Sequence, residues 1–302
     1  MSASPTHSSG RLDALAVMAM IGLTLTWGIN QSLIKIGNGG FNPLAIAVFR
    51  AALAGLLVAL WCRLRGIALF SRDGSLPAGL LAGALFAAEF ALIFIGLDFT
   101  TAARGALMVN TMPFFVAAGA HFMLGERLSG AKVAGMALAF LGVVLVFSDR
   151  LSMPAPGALL GDALMLGAAA LWAATTLVIK GSRLSTVSAE KVLLYQLAVS
   201  AALTAPFVML AGPIVRQWSG VAAGAVLIQA VFVVAVTYVV WFALMRRYPA
   251  SALSDFTFLS PVFGVLGGGL ILGEPLSWRV FLALACIGAG LLIANRGARA
   301  RS

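Results

Sequence analysis

Two stretches of the chain, 148 residues apart, carry the same residues in the same order, and this internal repeat limits what the chain can fold into. Pro113 leads to a Leu-Gly-Glu sequence that ends at Glu126, and Pro261 leads to a second one that ends at Glu274. The same shift relates Gly119 to Gly267 and Gly142 to Gly290. Both copies lie in apolar sequence, and a period near half the chain indicates a duplicated membrane unit rather than a solenoid of short repeats.

The composition agrees with a membrane protein. Of the 302 residues, 61% are hydrophobic and 10% are charged, and the mean hydropathy is +1.03. Soluble domains carry about 25% charged residues. The formal charge of +10 would suggest nucleic acid in a soluble protein, but here the basic residues fall mainly in short loops, where they orient membrane helices. We therefore predict a lipid bilayer as the surroundings and no nucleic-acid partner.

The apolar runs predict an all-α protein with ten transmembrane helices, since a membrane core needs about 20 apolar helical residues. The runs cover approximately residues 12–34, 44–62, 76–97, 102–122, 128–147, 157–181, 190–211, 217–245, 251–272 and 277–295. Five spans make one repeat. The predicted organisation is a tail at 1–11, a first five-helix repeat at 12–150, a second at 151–296 and a tail at 297–302.

The loop charges predict the orientation. With both termini in the cytoplasm, 14 Lys and Arg residues lie on the cytoplasmic side and 5 on the outside, in agreement with the positive-inside rule. Because each repeat has an odd number of spans, the second copy enters the membrane from the opposite side. The prediction is two inverted repeats around a central cavity that opens alternately to each face.

The sequence resembles the drug/metabolite transporter superfamily, specifically its EamA-type ten-helix members. The residues that carry the likeness are Ala102 to Leu107, Pro113 and Leu124 to Leu128, with a second copy from Ala250 through Pro261 to Leu276. Within that family it most resembles bacterial inner-membrane exporters of aromatic and other neutral amino acids, which also tolerate cationic compounds such as methyl viologen. The resemblance implies a helical basket with a central cavity lined by the first four helices of each repeat.

The repeated motif is interpreted as structural. Glu126 and Glu274 each precede a Ser and the start of a helix, where free backbone amides and the helix dipole stabilise a carboxylate. Pro113 and Pro261 lie inside predicted helices and would bend them, which shapes the cavity.

Two charged residues fall inside predicted spans, where a charge costs at least about 2.5 kcal/mol without a partner or a wet cavity. Arg50 and Glu89 lie at similar depth, so they could form a structural ion pair. Alternatively, Arg50 or the pair holds the charged backbone of an amino acid, because a guanidinium matches a carboxylate.

Other polar and aromatic residues in the spans predict a mostly apolar substrate site. The full predicted set is Trp27, Asn30, Arg50, Glu89, Asn110, Trp172, Thr176, Tyr195, Gln196, Tyr238 and Trp241. Some of these residues could instead join helices or lie at the membrane interface.

Other chemistry finds little support in the sequence. No Walker motif or cluster with metal-ligand spacing is present, and Cys62 and Cys286 lack CxxC spacing, so neither an enzyme nor a cofactor is predicted. His121 and Asp255 lie near helix ends and Glu89 inside a span, which leaves proton coupling open. The preferred prediction is an amino-acid exporter or facilitator. The alternatives are an exporter of cationic drugs or other metabolites, with Glu89 as the anion partner, and a structural membrane protein without flux.

Overall fold

The computed structural model describes residues 12–148, 157–272 and 278–296, and these residues form a helical protein. The predicted tails, the connection between the repeats and Glu274 lie outside the described residues. Thirteen α-helices are present in the described part: α1 Ala14–Gly40, α2 Pro43–Arg65, α3 Leu76–Phe99, α4 Ala102–Val109, α5 Met112–Leu124, α6 Gly130–Phe147, α7 Ala158–Gly181, α8 Ala189–Thr204, α9 Gly220–Ile228, α10 Tyr238–Arg247, α11 Ala250–Asp255, α12 Leu259–Leu272 and α13 Trp278–Arg296.

The helices are long and apolar enough to cross a membrane. Eight segments of the described chain meet this criterion, and two shorter apolar helices cover Ala250–Leu266 and Trp278–Ala294. Local sequence explains where they begin, because Asp13, Asn42 and Ser188 each accept a hydrogen bond from a backbone amide in the first turn of the following helix. The prediction of an all-helical membrane protein is therefore confirmed.

The two proline motifs lie at helix breaks rather than in helix interiors. Asn110 and Thr111 separate α4 from α5, and Pro113 is the second residue of α5. In the second half, a 3-10 turn at Phe256–Phe258 separates α11 from α12, and Pro261 is the third residue of α12. Proline fits the first turn of a helix because the amides there have no partner within the helix. Each proline thus follows an interruption in a longer apolar helical segment, Arg104–Leu124 or Ala250–Leu266, and the expected bend at these positions stays a prediction.

A further irregularity lies between α9 and α10. The chain continues through Gln229–Thr237 as a π-helix, and this segment packs against α2 and α1. Wider helical turns of this kind are common at functional sites. The segment brings Thr237 and the following Tyr238 to the centre of the molecule, where both are described below.

The most extensive helix pairs join the two halves of the chain, including α6 with α13, α3 with α7 and α1 with α12. Gly135 of α6 faces Gly290 of α13, whereas Gly142 faces Ala283, so the two helices run antiparallel. Positions 135 and 283 are 148 residues apart, as are positions 142 and 290. The two contacts are therefore counterparts under the sequence repeat.

The carboxylate of Glu126 stabilises a helix of the other half. It accepts hydrogen bonds from the backbone amides of Ala250 and Ser251 and from the Ser251 hydroxyl, at the beginning of α11. The amides at the beginning of α6 are instead capped by Ser129. Helix capping by Glu126 thus occurs, but on α11 rather than on the adjacent helix, because the chain places the start of α11 beside the end of α5.

Candidate substrate cavity

A cavity of about 70 Å³ lies between helices of both halves. Its wall combines aromatic, aliphatic and a few polar residues: Trp27, Asn30, Ile34, Phe86, Glu89, Phe90, Ile93, Val109, Trp172, Thr175, Thr176, Ile179, Gln196, Tyr238, Trp241 and Phe242. The structure therefore brings together eight of the eleven residues that the sequence predicts for a substrate site. Arg50, Asn110 and Tyr195 are the predicted residues that do not line this cavity.

Trp27 is the centre of the aromatic wall. Its ring makes edge-to-face contacts with Trp172 at 5.9 Å, Tyr238 at 6.0 Å and Trp241 at 5.4 Å between ring centroids. The indole nitrogen donates a 3.0 Å hydrogen bond to the Thr237 hydroxyl, which ends the π-helical segment. Aromatic pairs prefer this geometry, and the hydrogen bond fixes the ring in the wall.

Three polar side chains of the wall have buried atoms without a hydrogen-bond partner among the described residues. These atoms are Asn30 Oδ1, Glu89 Oε2 and both terminal atoms of Gln196. The exposed fractions of the three residues are 7%, 3% and 0%. Since buried polar groups nearly always have partners, their shared position on one cavity indicates a site for a polar group or ordered water.

Arg50 is buried behind the aromatic wall. Its guanidinium carbon lies 4.1 Å from the centre of the Phe90 ring and 5.2 Å from that of Phe94. No ion pair joins Arg50 to Glu89 among the described residues. Arg50 thus stacks on rings that α3 carries beside it and makes no direct contact with Glu89, although the two charges are close enough to attract each other.

The other two predicted residues make contacts elsewhere. Asn110 donates a 2.7 Å hydrogen bond to the carbonyl of Ala106 and caps the end of α4. The Tyr195 hydroxyl lies 3.1 Å from that of Ser75 and joins α8 to the start of α3. Sequence reasoning missed Phe86 and Phe242, whose only signal was an aromatic ring within an apolar run.

Polar contacts hold the chain together at the end of the cavity where α7 and α10 terminate. Lys180 donates to the carbonyls of Met245 and Tyr248 at 2.5 and 2.6 Å. The Tyr248 hydroxyl donates to Asp13 at 2.8 Å. Hydrogen bonds from the Ala16 amide and from Tyr248 lower the pKa of Asp13, and the same contact raises the pKa of Tyr248.

Equivalent contacts are present at the opposite end. Asp162 accepts from the Thr100 hydroxyl at 2.7 Å and forms an ion pair with Arg104. Asp98 forms a 2.7 Å ion pair with Arg216. Thr100 and Tyr248 are 148 residues apart and so occupy the same repeat position. Thr100 of the first half bonds to Asp162 near the start of α7, and Tyr248 of the second half bonds to Asp13 just before α1.

The remaining titratable candidates lie outside the cavity. Nδ1 of His121 lies 3.0 Å from the carbonyl of Glu126 on an exposed surface. Asp255 is buried, and its nearest ion-pair partner is Lys132 at 3.7 Å. Within residues 12–148, 157–272 and 278–296, no group of three His, Cys, Asp or Glu side chains could hold a metal ion.

The cavity is small compared with ligand sites of other proteins. Pockets that hold drug-sized ligands usually measure about 300–1,000 Å³, and one water occupies about 30 Å³ in the liquid. A cavity of about 70 Å³ therefore has room for a few waters. A larger ligand requires the wall to move.

Comparison with known proteins gives a consistent result. The model of the EamA-like transporter family matches residues 14–148 and again residues 159–296. A probable amino-acid metabolite efflux pump of Escherichia coli (strain K12) is 29% identical, over 94% of this chain and 96% of its own. A protein of the same description from Salmonella typhimurium is 26% identical, over 92% and 94%.

Two further matches carry less functional information. An uncharacterized transporter of Bacillus subtilis is 27% identical over 92% of this chain and 91% of its own. A solved crystal structure superposes with a TM-score of 0.78, covers 92% of this chain and 96% of its own, and is 22% identical. That structural match supports the fold alone.

Proposed function

The chain belongs to the EamA-like transporter family, and we propose that it carries small amino acids, aromatic ones included, across the bacterial inner membrane. The observation that carries this proposal is the central cavity, in which an aromatic wall surrounds the polar side chains of Asn30, Glu89 and Gln196. Apolar walls with a few convergent polar groups suit a ligand that has a charged end and an aromatic side chain. The names of the Escherichia coli and Salmonella relatives point in the same direction.

The proposed mechanism is alternating access between two inverted repeats at 12–150 and 151–296, each with five membrane spans and with both termini in the cytoplasm. The antiparallel pairing of α6 with α13 and its matching contacts support a two-fold axis perpendicular to these helices. The polar contacts at both ends and the small cavity support an occluded intermediate. Transport then requires the contacts at one end to open while those at the other end remain.

Flux measurements test the proposal. The purified chain in liposomes should give saturable flux of labelled phenylalanine and threonine that tryptophan competes with, whereas empty liposomes should not. A proton gradient tests coupling, because an imposed gradient accelerates uphill flux only if protons move with the substrate. A folded protein without flux of either amino acid would contradict the proposal and favour a structural role or another metabolite.

Organic cations are the second candidate. The observation in their favour is that Glu89 carries the one formal charge among the described residues that line the cavity. Aromatic rings around a carboxylate also favour a bound cation. Flux of methyl viologen without flux of amino acids would support this candidate.

A further inference from the structure

The charge of the cavity wall selects which end of a substrate it can hold. Among the described residues of the wall, Glu89 is charged and no Lys, Arg or His is present. Arg50 lies close enough to attract this carboxylate but makes no direct ion pair with it, so a bound cation would offset more of the cost of its burial. A carboxylate of a substrate would instead add a second negative charge next to the first.

The side-chain atoms of the wall that lack a hydrogen-bond partner also favour a protonated amine over a carboxylate. Asn30 Oδ1 and Glu89 Oε2 can accept hydrogen bonds, and Gln196 has one unpaired acceptor together with one unpaired donor. A protonated amine offers three N–H donors and no acceptor. Its three donors equal in number these three acceptor atoms, whose side chains on α1, α3 and α8 line one cavity.

The aromatic wall and Arg50 complete the argument. Trp27, Trp172 and Trp241 present π systems, which attract a cation at short range. The guanidinium of Arg50 has an unpaired Nη1, but it lies against Phe90 and Phe94 and does not line the cavity, so it is not placed to meet a carboxylate there.

We infer that this cavity recognises its cargo by a protonated amino group, which Glu89, Asn30 and Gln196 hold inside the aromatic wall, and that Arg50 does not bind the carboxylate. This inference rests on the proposed function and names the substrate class of the same site. Amino acids and small aromatic amines would then use one recognition element, whereas acids without the amino group would not enter.

Competition between analogues of phenylalanine tests the inference. In liposomes that hold the whole chain, phenethylamine, which lacks the carboxylate, should inhibit phenylalanine flux. 3-Phenylpropionate, which lacks the amino group, should not inhibit it at the same concentration. Inhibition by 3-phenylpropionate but not by phenethylamine would overturn the inference and leave the proposed function intact.

Amino-acid substitutions test whether Glu89 binds the amino group of the substrate. Glu89→Gln should raise the KM for phenylalanine by about tenfold or more, because it removes a charge-assisted hydrogen bond. Glu190→Gln removes a carboxylate at the start of α8, outside the cavity and outside the contacts at its ends, and should leave the KM unchanged. Equal effects of the two substitutions, with both proteins folded, would contradict the assignment of Glu89.

Direct binding separates this inference from the proposed function. Three tryptophans line the cavity, so intrinsic fluorescence reports occupancy without any transport. Phenethylamine should change the fluorescence saturably in the wild-type protein and not in the Glu89→Gln variant. If phenylalanine flux is absent but this signal is present, the proposed substrate is wrong and the amine site stands. If phenethylamine gives no signal, the amine site is wrong.

Discussion

At the scale of single residues, Thr237 holds the aromatic wall in place. Its hydroxyl accepts from Trp27 and donates to the carbonyl of Val233 in its own helix. Thr237→Val keeps the shape but leaves the buried indole N–H without an acceptor, which costs about 1–3 kcal/mol. We expect a lower unfolding temperature in detergent. Thr26→Val is the matched control, because the Thr26 hydroxyl bonds only to Gly22 of its own helix. Equal losses in the two variants would show that the contact with Trp27 contributes nothing.

The residues of the candidate site could be predicted by their type but not by the direction of their side chains. Polar residues stand out within apolar runs because they are costly in a membrane, and aromatic ones because they line ligand sites, so Glu89, Gln196 and Trp27 could be selected from the sequence alone. The direction in which a side chain points could not be predicted, because it depends on the rotation of its helix and on neighbours from the other half. At a shift of 145 residues, which also aligns Trp27 with Trp172, Arg50 corresponds to Tyr195, yet Arg50 stacks on Phe90 and Tyr195 meets Ser75.

At the scale of helices, α1 packs against α12 through glycine. A Cβ atom at Gly28 would meet the backbone of Ser260 and Gly264, whereas one at Gly22 would meet nothing within 4 Å. Overpacking usually costs about 1–3 kcal/mol, and alanine in an open helical position gains about 0.5–1 kcal/mol over glycine. Gly28→Ala should therefore lower the unfolding temperature and Gly22→Ala should not. A stable Gly28→Ala protein with unchanged flux would contradict close packing of α1 on α12.

The connection between α2 and α3 predicts a dependence of stability on pH. Lys191 donates a 2.7 Å hydrogen bond to the carboxylate of Asp73. This bond lowers the pKa of Asp73 well below its ordinary value of about 4. A carboxyl group whose pKa is lower in the folded state stabilises the fold above the unfolded-state value and stops doing so as pH falls through the folded-state value. The unfolding temperature should thus fall on acidification below about pH 4. Asp73→Asn should flatten this part of the curve, and parallel curves would contradict the role of Asp73.

Helix positions were predictable because apolar length and turn residues are local properties. The predicted runs at 44–62 and 76–97 correspond to α2 at Pro43–Arg65 and α3 at Leu76–Phe99. The breaks at Asn110 and at Phe256–Phe258 were not predicted. Asn110, Thr111 and Thr257 bond to carbonyls of their own segments there, and a run that changes from α to 3-10 or π geometry has the same apolar composition.

At the scale of the whole molecule, the repeat in the sequence has a physical counterpart in how the halves pack. Gly142 and Gly290 are 148 residues apart and so occupy the same repeat position. Gly142 lies against α13, and Gly290 lies against α6. Such contacts let two similar units move against each other around one cavity. The polar contacts at the two ends nevertheless differ in chemistry, which the sequence could not predict. Lys180 bonds to two carbonyls, whereas Lys35, its counterpart at the shift of 145 residues, is exposed.

This difference between the halves gives a test of alternating access. Lys180→Met removes the ammonium that joins the end of α7 to the carbonyls after α10, so the cavity should open more often at that end. A cysteine at Thr175, which lines the cavity, should then react faster with a membrane-impermeant thiol reagent added from that side, in a background without Cys62 and Cys286. Lys35→Met is the control, because Lys35 is the counterpart of Lys180 at the shift of 145 residues and is exposed. If labelling rates of the two variants matched from both sides, the contacts of Lys180 would not close the cavity. Faster labelling from the Lys180 side alone would support a gate at the end of α7 and would identify which face that end opens to.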